Sequence, residues 1–204
     1  HIGVARLVAG HRRSAGLTRI GHGLAIHKHL NHPIFQVLDQ DGWTYGISPR
    51  FTGSFSIAGL RNDVVAGARI FAGTNAVQQF VNLGNAQRGA QTVNGRQNAE
   101  NYEAWFENRL FVLPQVALTA GAKVFSSRRA YTGGLNLNTV PVAVDTSVTY
   151  SGVNPRIGLL WEPVRDVQVF ANITRSADVP DFTDLMQTTA TTTTFVPLRA
   201  QTGT

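Results

Sequence analysis

Residues 43–57, WTYGISPRFTGSFSI, alternate with a period of two. The odd positions carry Trp, Tyr, Ile, Pro, Phe, Gly, Phe and Ile; the even positions carry Thr, Gly, Ser, Arg, Thr, Ser and Ser. Successive strand residues point to opposite faces, so this segment predicts a strand with one apolar, aromatic face and one small, polar face. Fifteen residues is long for a globular strand, which usually runs to about five or six. The same pattern returns in 62–74, 98–112, 115–128, 147–161 and 166–176. In 98–112, Tyr102, Ala104, Phe106, Leu110 and Val112 oppose Asn101, Glu103, Glu107 and Arg109. In 147–161, Val153, Ile157, Leu159 and Trp161 oppose Asn154 and Arg156. Fainter alternation predicts two further strands at about 2–9 and 17–30.

The connections separate a barrel from a sandwich. Short links fall at Ala58–Arg61, Leu113-Pro114 and Glu162–Arg165, each with Gly or Pro or a charged pair suited to a tight hairpin. Long links fall at 31–42, 75–97, 129–146 and 177–198, rich in Asn, Gln, Gly, Thr and Pro. Short and long connections alternate along the whole chain. A transmembrane β-barrel has that rhythm, with short periplasmic turns and long outer loops. Trp43 and Tyr45 stand at the long-loop end of their strand, and Phe111 and Trp161 beside short turns, where aromatic girdles meet the two bilayer interfaces. The polar face carries Arg50, Arg69, Glu103, Glu107, Arg109, Lys123 and Arg156, which suits a wet lumen.

Composition narrows the class. The chain has 204 residues, no cysteine, 15% charged residues and a net charge of +6. Disulfides and thiolate chemistry are excluded. The longest apolar runs, Val64–Ala68 and Ile157–Trp161, are far shorter than the roughly 20 residues of a membrane helix. The arginines are scattered singly apart from Arg12-Arg13 and Arg128-Arg129, whereas a nucleic-acid footprint is clustered; no nucleic-acid partner is expected.

At the last hairpins the pattern becomes specific. The run NPRIGLLWEPVRDVQVFANITRSADVPDFTDL, residues 154–185, resembles the barrel of TonB-dependent outer-membrane receptors, especially those for ferric siderophores. The matching features are Pro155-Arg156-Ile157-Gly158, a short turn, Phe170 through Ser176, and Pro180-Asp181-Phe182. NYEAWFENRLFVLPQVALTAGAKV, residues 101–124, resembles the preceding hairpin, and the final LRAQTGT resembles the approach to the next strand. The resemblance implies an all-β, antiparallel, up-and-down transmembrane barrel segment of about eight strands plus the start of a ninth. Family barrels close at about 22 strands around a plugged lumen. The expectation is therefore that 1–204 is a partial barrel domain with the plug absent. By resemblance, the whole protein sits in the bacterial outer membrane, contacts lipid and lipopolysaccharide, and takes up a ferric siderophore or similar iron chelate. The resemblance implies energy from the TonB complex, reached through the missing plug region, and neither a cofactor nor enzymatic activity. A small passive pore is the alternative, and a soluble all-β binding module ranks behind it.

Candidate contact residues at the outer mouth are Arg128, Arg129, Tyr131 and Phe80. Arginine and tyrosine suit an anionic, aromatic chelate; the competing role for a rim arginine is contact with lipopolysaccharide phosphate or water. His22, His27, His29 and His32 crowd one stretch, and His27 and His29 share a predicted strand face. No cysteine or carboxylate completes a ligand set there, Asp39 and Asp41 have no recognisable ligand spacing, and no metal is expected. Glu103 and Glu107 share a strand face about 13 Å apart at ~3.3 Å per residue, too far for a glycosidase pair; ion pairing with Arg109 or other lumen residues is expected. Asn172-Ile173-Thr174 is a glycosylation sequon inside a predicted membrane strand and is discounted. No G-x-S-x-G elbow supports hydrolysis.

Overall fold

A computed structural model describes residues 6–12, 36–84, 87–188 and 192–204. The main sheet contains β1 (Arg6–Arg12), β2 (Gln36–Ser48), β3 (Arg50–Ile57), β4 (Leu60–Asn82), β5 (Arg88–Leu113), β6 (Val116–Leu135), β7 (Val142–Val164) and β8 (Val167–Thr174). Every pairing is antiparallel, in the order β1-β2-β4-β5-β6-β7-β8, with β3 also on β4. β2 and β3 are one line of chain in one register: Ile47 faces Ile70 and Arg50 faces Gly67. Pro49 interrupts the line because it has no N–H to give the ladder; its carbonyl still accepts from the Ala68 amide. The strand expected at 17–30 lies outside the described residues, and β1 pairs directly with β2.

Three two-residue turns close the short end. Ala58 (φ 52°) and Gly59 (φ 78°) are both left-handed, the type I′ geometry that matches the strand twist. Pro114-Gln115 joins Leu113 to Val116, and Arg165-Asp166 joins Val164 to Val167. The last turn comes later than the expected 162–165, because the strand pairing runs on to Val164.

The larger correction concerns the other end. Of the expected loop 75–97, residues up to Asn82 and from Arg88 onward are strand, and the expected loop 129–146 shrinks to 136–141. β5 spans 26 residues and β7 spans 23, whereas crossing the hydrocarbon takes about 9–11. More than half of each strand therefore stands clear of the bilayer. There water wets both faces and the selection for an apolar side disappears: VNGRQ (93–97) keeps its backbone ladder without alternating, and RGAQT (88–92) pairs with β4 only through register shifts.

Within the band the sheet is apolar outward and polar inward. Ile157 is 68% and Ile173 75% exposed on the outer face, while Thr119, Ser127 and Asn154 are buried on the inner one. Cross-strand partners fix those faces: Leu118 faces Leu110 and Leu159, whereas Lys123 faces Trp105 and Asn154. Trp43, Tyr45 and Trp161 are exposed on the outer face, although β2 begins at Gln36, so Trp43 and Tyr45 lie inside their strand and not at its end. Phe111 is not part of that girdle. It shares the inner face with Arg109 and Glu107, and the Arg61 guanidinium lies 4.6 Å from its ring centre.

β8 leaves the ladder where β7 carries Pro155. Arg156 pairs with Thr174, the Arg175 amide reaches the Pro155 carbonyl, and pairing ends there. The departing chain becomes β9 (Ser176–Asp178), which pairs with β12 (Gln201–Gly203). Between them lie a short helix α1 (Phe182–Leu185) and a hairpin of β10 (Met186–Thr188) with β11 (Thr193–Phe195). Asp181 caps α1 by accepting from the Thr183 and Asp184 amides, and Asp184 returns a bond to the Asp181 amide.

Candidate functional site

Face parity sorts the four candidate contact residues into two pairs. Arg129 and Tyr131 stand on the inner face of β6, continuing the row of Lys123, Phe125 and Ser127. Arg128 is exposed on the outer face, with Nη2 donating to Ser147 Oγ at 3.3 Å. Phe80 shares the outer face through its partner Val37, and Arg88 lies over its ring at 5.2 Å while pairing with Asp39 at 2.6 Å. Arg128 and Phe80 thus face away from the lumen.

Arg129 sits five residues above Val124, the last large outward apolar residue of β6. Its Nη1 donates to Asn101 Oδ1 at 3.0 Å and to the Arg128 carbonyl at 3.1 Å. Among the described residues no carboxylate lies within ion-pairing distance of it. Burial draws the guanidinium below its ordinary pKa, opposed by the nearby Tyr150 phenol and Asp181 carboxylate. A half-buried cation on a wet inner wall, whose Nη2 has no hydrogen bond among the described residues, is a ready partner for a ligand anion. Tyr131 has a different part. It is fully buried, its ring covering Gly95, where a Cβ would overlap the phenol. Its hydroxyl is 3.5 Å from the Gly134 carbonyl, and burial raises its pKa.

What buries Tyr131 is the segment between β9 and β12. Phe182, Met186 and Phe195 pack with Val144 onto Val93, Tyr131 and Leu135. All four strand residues share the inner face, so this segment folds into the mouth of the barrel. Three polar clasps hold it. Asn136, left-handed at φ 56° in the β6–β7 turn, accepts from the Thr193 amide at 2.7 Å and donates to the Thr193 carbonyl at 3.1 Å. Tyr150 Oη donates to the Leu198 carbonyl at 2.8 Å. Gln97 Nε2 lies 3.6 Å from Met186 Sδ.

Residues 11–204 match the TonB dependent receptor-like, beta-barrel family. The chain belongs to that family. Among solved structures it is similar to the ferric citrate transporter FecA in its unliganded form, at 15% identity, TM-score 0.59, over 70% of this chain and 21% of that one. It is also similar to the ferric-catecholate import receptor Fiu from E. coli K12. The open form gives 15% identity, TM-score 0.57 and 70% of this chain against 26% of that one; the closed form gives 15%, 0.56, 70% and 24%. No curated protein matches. This chain therefore spans about a quarter or less of the length of those structures.

In this TonB-dependent receptor barrel the lumen wall is an organised grid of charge. Glu107 pairs with Arg156 at 3.1 Å and Glu103 with Lys123 at 3.6 Å. Both glutamates thus pair across strands and not with Arg109. Beside them, where β8 leaves the sheet, opens a cleft of about 350 Å³ lined by Trp105, Glu107, Lys123, Asn154, Arg156 and Thr174, among others. Among the described residues no group of three His, Asp or Glu could hold a metal. The histidines at 22, 27, 29 and 32 lie outside the described residues.

Sequence reasoning did not single out Asn101, Tyr150 or Asn136. Asn101 was within reach, since it shares the predicted polar face with Glu103. Nothing local marks Asn136, whose partner lies 57 residues away.

Proposed function

We propose that this chain forms part of the wall and mouth of an outer-membrane receptor that imports a ferric siderophore or similar iron chelate, energised through TonB. The observation that carries the reading is Arg129: a cation without a carboxylate partner among the described residues, on the inner wall above the membrane band, in a TonB-dependent receptor barrel. Similar barrels described as a ferric citrate transporter and a ferric-catecholate import receptor support an anionic iron chelate as the cargo. Arg129 meets the chelate's negative charge, with the Tyr150 ring beside it. Tyr131, on the inner face but buried under the segment packed there, supports the wall and does not meet the chelate. Arg128, exposed on the outer face above the apolar band, meets lipopolysaccharide phosphate and not the cargo. A plug domain outside this stretch closes the lumen and carries the link to TonB.

The test is uptake of radioactive iron by iron-starved cells whose only chelate receptor is the full-length protein. Ferric citrate and a ferric catecholate are offered in cells with and without TonB. The reading requires uptake of at least one chelate and its loss without TonB. Uptake that persists without TonB identifies a passive pore; no uptake of either chelate refutes iron import.

A further inference from the structure

We infer that Asn136 pins residues 181–188 and 192–198 as a strap across the inner wall, and that the strap limits the size of solute able to reach Arg129. The inference rests on the reading of Arg129 as the ligand-side cation. Three independent observations carry it. The strap is buried where it touches the wall: Leu185 and Tyr131 are both at 0% exposure and Leu135 at 1%. Its clasp is two-sided, since one Asn136 side chain satisfies both the amide and the carbonyl of Thr193. The clasp also sits on a turn residue already held left-handed, a conformation that Asn tolerates better than most side chains, so Asn serves the turn and the strap together.

The strap also covers Tyr131, the next inner-face residue above Arg129 on β6. Asp181, at its start, is close enough to act on the Arg129 guanidinium, and Tyr150 touches both Arg129's surroundings and the strap's end at Leu198. A solute descending the inner wall toward Arg129 therefore passes the strap. A loop held only by exposed backbone would open in the thermal ensemble; this one has its own apolar core and a buried clasp, so opening exposes Tyr131 and leaves Asn136 and Thr193 without each other. Asn136 acts as a positioning residue through the strap and does not itself touch cargo.

The 204 residues contain no cysteine, and with any cysteine elsewhere in the full-length protein replaced by serine, a single introduced thiol reports access. Ala99 pairs directly with Arg129 on the inner face, and Ala99→Cys is a small change there. In outer membranes carrying the full-length protein, this site is labelled with N-ethylmaleimide and with a polyethylene-glycol maleimide, alone and combined with Asn136→Gly. Glycine keeps the turn geometry and removes the clasp. Asn136→Asp keeps the acceptor and loses the donor. The expected result is that the bulky reagent reacts about tenfold faster, relative to the small one, in the Gly variant, the change two lost ordinary hydrogen bonds produce. The Asp variant falls between. An unchanged ratio in both variants overturns the inference. Iron uptake is read separately: failure of the parent protein to import any chelate ends the receptor reading, while the labelling ratio still decides whether Asn136 holds the strap.

Discussion

Arg156 and Glu107 form an ion pair although their strands, β7 and β5, are not neighbours. Gly121 of β6 lies between them, facing Glu107 on one side and Arg156 on the other. With no side chain at 121, the guanidinium reaches over β6 and bonds Glu107 Oε2 at 3.1 Å. The pair thus ties three strands together on the lumen wall. Both partners remain wet, so the pair itself adds little stability, about 0–1 kcal/mol. Closing the gap costs more. A Cβ at Gly121 would stand 2.6 Å from the Phe106 carbonyl oxygen and 3.0 Å from the Glu107 Cα. Glu107→Gln should therefore lower unfolding stability by at most about 1 kcal/mol, whereas Gly121→Val should lower it by about 2–3 kcal/mol through overpacking. Urea unfolding of the full-length protein in liposomes distinguishes the two.

The outward and inward faces of β7 and β8 give a sharper contrast. Ile157 is mid-band and points to lipid; Asn172 is on the opposite face of β8, beside Gly158. Ile157→Arg should cost about 2–4 kcal/mol, because a guanidinium near the bilayer midplane loses its water. Asn172→Arg adds the same charge to a wet lumen and should be close to neutral. Equal losses for both would overturn the assignment of faces. The same liposome unfolding curves measure them.

Those faces were legible in the sequence because lipid and water impose opposite demands on alternate residues. Tyr102, Ala104 and Phe106 against Glu103 and Glu107 left little choice of register. The signal stops where the bilayer stops. Residues 93–97 and 131–135 pair without a break in register, as the membrane-crossing part does, but water on both sides removes the pattern that would reveal them. Phe111 misled for a related reason: an aromatic next to a short turn satisfies the girdle pattern on either face, and only its position opposite Ala117 fixes it inward. The mouth was legible only in its residue types. That Arg129 and Tyr131 face in while Arg128 and Phe80 face out follows from strand parity once β4 and β6 are known to extend that far. The strap was not legible, since its clasp joins residues 57 positions apart.

Parity makes Arg128 and Arg129 separable by experiment. Arg129→Ala should weaken binding of an anionic ferric chelate to the full-length protein by roughly tenfold to a hundredfold, the range for losing a hydrogen bond to a charged group. Arg128→Ala should leave that affinity within about twofold, since its side chain is directed away from the lumen and a loss below ~0.5 kcal/mol is typical for such surface changes. Tryptophan or intrinsic tyrosine quenching by the chelate supplies the binding curve. Equal effects at the two positions would mean that the upper part of β6 does not keep the register of the lower.

Tyr131 should behave as a packing residue with a silent hydroxyl. Its ring is fully buried over Gly95, but its 3.5 Å contact with the Gly134 carbonyl is at the limit of a hydrogen bond. Tyr131→Phe should change stability by less than about 1 kcal/mol, and Tyr131→Ala should cost about 3–5 kcal/mol, as for other buried aromatics. The phenol also carries a pH signature. Burial holds its folded pKa above the ordinary value, so the native state keeps the proton after an unfolded chain would lose it near pH ~10. Between those two values the unfolded state binds fewer protons, and stability falls as pH rises. Its contribution is complete below about pH 10 and is lost as pH climbs toward the folded value. Alkaline unfolding followed by phenolate absorbance should begin earlier in the native protein than in Tyr131→Phe, once each curve is normalised to its stability at neutral pH. Coincident curves would show that the Tyr131 phenol is not held protonated by the packed mouth.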